Sequence, residues 1–253
     1  MADSSRFTDS AGQPWAGRQF SSNDSAADDG SAPAELLAAI DAFHNGTAGL
    51  ELVVDQVRTC RLLIPLVAKA GEEGVNDHGV TIDKTQELSI VTVSGPDGRN
   101  VLPVFSSVEA MSSWNPQARP VPASGPRIAL AAANENTDLV VIDPTSPSEV
   151  AIRRPALWAI GKGEQWLPGH RSAPLAAEFD RLSFREDEVK RVELSDGDPR
   201  SRLTGPELRV TLTLIDGLDQ DALNALLARL SLAWSTSELI AAQVDSLEIK
   251  LEN

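Results

Sequence analysis

The sequence is poor in the residues on which most enzyme and metal sites are built. Its 253 residues include one Cys, three His and no Tyr. A single thiol cannot form a disulfide within the chain, and it excludes a cysteine-based zinc site. His44, His78 and His170 are far apart in sequence, and none has a second His at the helical spacing that places two metal ligands on one face. We therefore expect solvent-exposed histidines and no cofactor.

Basic side chains are also scarce. Acidic residues outnumber Lys and Arg by 37 to 22, the formal net charge is −15, and the longest basic run is Arg153-Arg154. Nucleic-acid binders gain most of their affinity by neutralising phosphates with clustered cations. We therefore expect neither nucleic acid nor an anionic membrane surface as a partner.

Long apolar runs are absent as well. No stretch reaches the roughly 18 apolar residues of a membrane-spanning helix, and no apolar run follows the charged Asp3 and Arg6 at the start. By elimination the sequence predicts a cytoplasmic protein.

What the sequence does contain is a series of short helix and strand patterns that predict an α+β fold. We expect two small mixed α/β domains, each a short sheet with helices packed on it, after a disordered N-terminal arm. The expected bounds are a flexible arm at 1–32, a first domain at 33–162, a linker at 163–174, and a C-terminal β-β-α-α-β domain at 175–253.

Glycine and proline positions predict several local features. Asp97-Gly98 lies between two apolar runs, which favours a β-hairpin because Gly accepts a positive φ. Pro65 interrupts the apolar run 62–67 and cannot donate a ladder hydrogen bond, so it predicts a sheet edge or a bulge. The Pro-rich stretch 116–122 is interpreted as an irregular crossing, followed by an Ala-rich helix at 128–134.

The N-terminal arm carries aromatic residues that a purely solvating tail rarely has. Trp15, Arg18 and Phe20 stand within a Ser-, Asp- and Gly-rich segment. One interpretation is an arm that folds back over its own domain. The other is a short motif that binds a protein partner, in which Trp and Arg would contribute most of the energy.

Searches for catalytic motifs return little. The chain has no phosphate-binding G-x-x-x-x-G-K-[ST] loop and no G-x-S-x-G nucleophile elbow. Cys60 is expected to be buried and inert. Asp77 and Asp83, on either side of His78, are interpreted as a solvated loop rather than as acid–base groups.

Several segments resemble the SseB family, named for an enhanced serine sensitivity phenotype. They are Arg61-Leu62-Leu63-Ile64-Pro65-Leu66, Lys84-Thr85-Gln86-Glu87-Leu88-Ser89, Asp97 to Ser107 (DGRNVLPVFSS) with Trp114, and Leu139 to Pro144. The region from about Leu175 is similar to the family's C-terminal domain, and the tail segments Ala11 to Arg18 and Asp28 to Ala32 are similar to actinobacterial members. The resemblance implies an intracellular bacterial protein and brings no catalytic residues.

Three classes of function follow from these observations. The first is a non-enzymatic binding or regulatory protein with a protein partner. The second is a small-molecule sensor for an amino acid or nucleotide, with Lys84, Arg99 and Arg119 as anion contacts in a cleft between the domains. The third is an enzyme in which His78, Asp83 and Glu87 converge in space.

Overall fold

A computed structural model describes residues 28–69, 74–75, 81–82 and 87–252. The helices and strands of its first part are α1 (Ala34–His44), α2 (Leu50–Thr59), β1 (Arg61–Lys69), β2 (Gly74–Val75), β3 (Thr81–Ile82), β4 (Glu87–Ile90), β5 (Val93–Ser94), β6 (Asn100–Val104), α3 (Val108–Trp114), β7 (Arg119–Ser124), α4 (Gly125–Asn134), β8 (Val140–Ile142), β9 (Val150–Ile152) and α5 (Arg154–Lys162). After a short 3-10 turn at Gly169–Arg171 come α6 (Ala173–Ser183), β10 (Val189–Asp196), β11 (Leu208–Leu214), α7 (Gln220–Ser235), α8 (Glu238–Gln243) and β12 (Leu247–Glu252).

The described part of the first half contains a two-stranded sheet of β2 and β3 and two larger sheets that meet at one point. One has the strand order β4-β1-β7 and the other the order β5-β6-β8-β9, in which β6 and β8 are parallel. Backbone hydrogen bonds of 2.8 and 2.9 Å between Leu63 and Phe105 connect the sheets. Helices α1, α2, α4 and α5 cover them around an apolar core that includes residues from Leu36 to Trp166.

The second half is built on one three-stranded sheet. Strand β11 lies in the centre, antiparallel to β10 and parallel to β12. A second apolar core joins this sheet to α6, α7 and α8, with the rings of Phe179 and Trp234 5.2 Å apart. The α+β fold class is therefore confirmed, whereas the exact domain bounds stay a prediction.

The Asp97-Gly98 hairpin forms as predicted. Strands β5 and β6 are antiparallel, with Val93 opposite Val101, and Gly98 has a φ of +81°. An L side chain rarely adopts this backbone conformation, so Gly is suited to the turn.

Pro65 lies on β1 opposite Pro120, and on the other side of β1 the pairing with β4 begins only at Leu66. Pro65 therefore has no ladder partner on that side among the described residues, which fits the edge expected at that point. Two other elements differ from the sequence-based expectations, and proline is involved in both. The stretch expected as an irregular crossing contains β7, an outer strand that tolerates Pro120 and Pro122 because one side of it has no ladder partner among the described residues. Helix α6 begins within the expected linker because Pro174, in its first turn, is compatible with a helix start.

Only the last part of the expected arm belongs to the described residues. Residues 1–27, including Trp15, Arg18 and Phe20, lie outside them. Residues 28–32 are described and contact the first half: Asp28 forms an ion pair with Arg61, and the Val108 N–H donates to the Gly30 carbonyl at 2.9 Å. The start of the described chain is thus attached to β1 and α3.

Gly125 allows a close approach of α4 to α2. A Cβ at this position would lie 2.2 Å from the Val57 carbonyl oxygen and 3.0 Å from the Arg58 Cα, and both are backbone atoms. We expect Gly125→Ala to lower the free energy of unfolding by about 1–3 kcal/mol, since the helices must move apart. Urea denaturation measures this, and Ala133→Ser on the exposed face of α4 is the control. A free energy of unfolding in G125A equal to that of the wild type would contradict the close approach of the two helices.

Candidate functional site

The two cores meet at a seam built around one buried arginine. The Arg153 side chain, just before α5, is 5% exposed and donates to Asp198 Oδ2 at 2.7 Å and Asp245 Oδ2 at 3.2 Å. It also donates to the Gly205 carbonyl at 2.7 Å and to Ser246 Oγ at 3.2 Å. A single side chain of the first half thereby binds separate segments of the second half.

The carboxylate of Asp198 is fully occupied by hydrogen bonds. Its Oδ1 accepts from the Arg202 N–H at 3.3 Å and Thr204 Oγ1 at 3.0 Å, and its Oδ2 accepts from the Leu203 N–H at 2.8 Å as well as from Arg153. The side chain is 2% exposed. Because a buried charge is tolerated when it is paired and hydrogen-bonded, Asp198 has a structural role in the seam.

The loop between β10 and β11 lies directly on β9. The Ala151 N–H donates to the Ser201 carbonyl at 2.6 Å, and Ser201 Oγ donates to the Ala151 carbonyl at 2.8 Å. Leu203 is buried in a small apolar cluster with Val101 and Val141. Ser201 and Leu203 have φ values of +49° and +58°. Such backbone strain persists only where the surrounding contacts over-determine it.

Arg99, one of the predicted anion contacts, is bound within the seam. Its guanidinium forms two hydrogen bonds to Asp245, at 3.0 and 2.9 Å, and a third to Asp97 Oδ2 at 2.8 Å. Burial alone would raise the pKa of Asp245, but Arg99 and Arg153 outweigh it and hold that pKa below its usual range. A ligand anion would have to displace the Asp245 carboxylate to reach the same face of Arg99.

The other predicted site residues are not brought to the seam. Arg119 is exposed at the start of β7, opposite Leu66 of β1. Lys84, His78 and Asp83 lie outside the described residues, as does the side chain of Glu87. Their predicted roles therefore stay predictions.

A cavity of about 170 Å³ opens beside the Arg153 cluster. Its walls come from both halves: Phe43, Leu50 and Glu51 belong to the first, and Asp198 and Glu207 to the second. The residues around the 3-10 turn complete it, including Trp166, His170 and Arg171. Arg171 forms an ion pair with Glu51, which also lines the cavity. The seam thus encloses a small space with both aromatic and charged walls.

Glu207 is a titratable group of this region whose pKa departs strongly from its ordinary value. Its Oε2 accepts from the Asp245 N–H at 2.5 Å, whereas its Oε1 is buried and has no hydrogen-bond partner among the described residues. Burial raises the pKa of Glu207 to about 7, and the nearby Asp245 carboxylate adds to the rise. Three groups lower this pKa without cancelling the rise, namely the Asp245 N–H, Arg153 and Arg154. Glu207 therefore changes charge near neutral pH.

The sequence predicts solvent-exposed histidines and a buried, inert Cys60. His44 is exposed as predicted, but His170 is half-buried, because it lies on the 3-10 turn that lines the cavity. Cys60 is half-buried against the first core, and burial raises its pKa to about 11. Its thiol is therefore protonated at neutral pH.

Three of the segments that resemble the SseB family, at 61–66, 97–107 and 139–144, meet in a second polar network. Arg61 donates to the Ser106 carbonyl at 3.0 Å. The buried Asp143 accepts from the Ser106 N–H and from Ser106 Oγ, both at 2.7 Å, and from Ser148 Oγ at 2.9 Å. These interactions connect β1 to the ends of the parallel strands β6 and β8. The resemblance therefore rests on groups that support the fold.

Sequence reasoning missed the principal residues of the seam, namely Arg153, Asp198, Glu207 and Asp245. Arg153-Arg154 was notable as the longest basic run, and Arg154 also reaches across, donating to the Ala241 carbonyl at 2.9 Å. The acidic partners carry no local pattern, because they lie 45 and 92 residues from Arg153.

These features define an α+β protein of two small units joined by a polar seam. The family model for the SseB protein N-terminal domain matches residues 34–159, and the chain belongs to the SseB family. The likeness of the C-terminal region and of the tail to this family stays a prediction, because the match ends at residue 159. No curated protein and no solved structure matches the chain. Among the described residues, no helix has the length and apolar character needed to cross a membrane.

Removal of the Arg153 charge tests the seam. We expect Arg153→Met to lower the free energy of unfolding by about 3–5 kcal/mol, because it leaves the buried Asp198 carboxylate without its cation and Asp245 with Arg99 alone. Urea denaturation measures this, with Arg191→Met as the control, since Arg191 is 66% exposed and its ion pair is worth at most about 1 kcal/mol. A loss below about 1 kcal/mol in R153M would contradict the role of the seam.

The raised pKa of Glu207 predicts a pH dependence of stability. Between its ordinary value of 4.5 and about 7, the folded chain retains a proton that the unfolded chain releases, so the free energy of unfolding falls as the pH rises. Above about pH 7, the raised pKa of Glu207 lowers the free energy of unfolding by about 3 kcal/mol in total. Glu207→Gln keeps an oxygen for the Asp245 N–H and removes the charge.

We therefore expect E207Q to gain stability relative to the wild type as the pH rises from about 5 to about 8. Urea denaturation at both pH values measures the difference. Glu193→Gln, whose side chain is 45% exposed, is the matched control. The same stability difference between E207Q and wild type at both pH values would show that Glu207 is not perturbed in the folded chain.

Proposed function

We propose that this SseB-family chain is a non-enzymatic binding or regulatory protein that acts inside the cell. The observation that supports this most is the state of the charged groups in the seam. Arg153, Asp198 and Asp245 bind one another and nearby backbone groups, and the Asp198 and Asp245 side chains are each 2% exposed. Catalytic acids and bases must reach a substrate. These side chains instead hold the two halves together.

The N-terminal arm is the proposed partner-binding element. Trp15, Arg18 and Phe20 supply the aromatic and cationic side chains that dominate interface energies. The arm joins the described chain at Asp28, which the Arg61 ion pair attaches to β1. A partner bound to the arm would therefore be held close to the first half of the chain.

A second candidate function, small-molecule sensing, is favoured by the cavity in the seam. Both halves contribute walls to it, and it is smaller than the roughly 300–1,000 Å³ of sites for drug-sized ligands. A compact metabolite in this cavity would bind the two halves at once.

Deletion of residues 1–27 tests the proposed function while keeping the Asp28 anchor. We expect affinity capture from extracts of the native host to recover a specific partner with the full chain and to lose it with the shortened chain. The melting temperature should change by less than about 3 °C, because no contact of the anchor is removed. Trp15→Ala in the full chain is the matched point variant, and it should weaken the same capture.

Equal recovery of the partner by both chains would exclude the arm as the binding element. A fall in melting temperature of more than about 6 °C on deletion would instead favour an arm that folds back and stabilises its own domain.

A further inference from the structure

Two carboxylate oxygens at the seam cavity lack hydrogen-bond partners. Glu51 and Glu207 both line this cavity, and Glu51 Oε2 and Glu207 Oε1 are buried without a partner among the described residues. Glu51 lies in the first turn of α2, and Glu207 directly precedes β11, so the oxygens belong to different halves. A buried acceptor without a donor is costly. A ligand with N–H groups would remove that cost if the two carboxyl groups turn towards the cavity.

The charges around the cavity favour a cation over an anion. The carboxylates of Glu51, Asp196, Asp198 and Glu207 line it, against the guanidinium groups of Arg153 and Arg171 and the half-buried His170. Arg153 is already bound by Asp198 and Asp245, and Arg171 by Glu51. These ion pairs leave the carboxylates of Asp196 and Glu207 without a cationic partner among the described residues, so the cavity favours a positively charged ligand.

The remaining walls suit an organic cation better than a bare metal ion. Phe43 and Trp166 also line the cavity, and both pack against the first core. An aromatic ring attracts an ammonium group through its π face and also buries the apolar part of an amine. In the part of the chain that the structure describes, no three His, Cys, Asp or Glu side chains form a group that could hold a metal ion.

We propose that the seam cavity binds a small organic ammonium compound, with its N–H groups directed to Glu51 and Glu207 and its apolar part against Phe43 and Trp166. This inference rests on the proposed function, since it names the ligand class of the sensing site. The cavity volume of about 170 Å³ limits the ligand to a compact amine, a diamine or a small amino acid. Bound between the halves, the ligand would strengthen the seam beside Arg153.

Calorimetric titration of the full chain with benzylamine, putrescine and valine tests the proposal, with benzyl alcohol as the uncharged match for benzylamine. We expect at least one of the three amines to bind with a Kd below about 1 mM, and benzyl alcohol to bind at least about tenfold more weakly than benzylamine. The compound that binds shows whether the cavity takes a simple amine, a diamine or an amino acid. Binding should strengthen from about pH 6 to about pH 8 as Glu207 becomes charged.

Glu51→Gln and Glu207→Gln should each weaken amine binding by about tenfold or more, whereas Glu193→Gln, on the exposed face of β10, should leave it unchanged. Urea denaturation shows whether each variant is folded. If one variant fails to fold, the other still tests the proposal. No binding by any of the amines below about 10 mM, equal binding of benzyl alcohol and benzylamine, or unchanged binding in both variants would overturn the proposal. Arm-dependent partner capture by E207Q tests the proposed function separately, because it does not need the cavity.

Discussion

The structure depends on one buried interaction, the contact of Arg153 with Asp198 and Asp245. Arg153 lies just before α5 in the first half, whereas its carboxylate partners lie in the loop before β11 and just before β12 in the second half. Guanidinium suits this position because its donors lie in a fixed planar fork that can bind several acceptors at once. The strained backbone at Ser201 and Leu203 is held by the same loop, so the loop conformation and the seam support each other.

A seam of this kind has consequences for function. Charges that are paired in the interior stabilise little compared with apolar packing, but removing one member is costly. The pairing therefore fixes how the two halves fit together more than it adds to stability. The cavity with Glu51 and Glu207 lies at this junction, so a ligand there would act on the fit between the halves. The arm is attached elsewhere, at Asp28, by its ion pair with Arg61.

Local features could be predicted from the sequence, and features that depend on distant contacts could not. The Asp97-Gly98 hairpin needs only neighbouring residues, and it formed as expected. Strand β7 was missed because Pro120 and Pro122 argue against a strand unless its outer position is known, and α6 was missed because Pro174 marks either a linker or a helix start. The seam could not be predicted, because the carboxylate partners of Arg153 lie 45 and 92 residues away in sequence and no sequence motif marks them. Arg99 was recognised as a notable cation, but nothing in the sequence indicated that Asp245 would bind it.

A double-mutant cycle between Arg153 and Asp198, using Arg153→Met and Asp198→Asn alone and together, tests the central claim most directly. The sum of the two single losses in the free energy of unfolding should exceed the loss in the double variant by about 2–3 kcal/mol. The reason is that R153M leaves Asp198 buried without its cation, and D198N leaves Arg153 with only one of its two carboxylates. The exposed pair Arg191–Glu193 should give a coupling below about 1 kcal/mol in the same experiment. A coupling between Arg153 and Asp198 below about 0.5 kcal/mol would contradict the account.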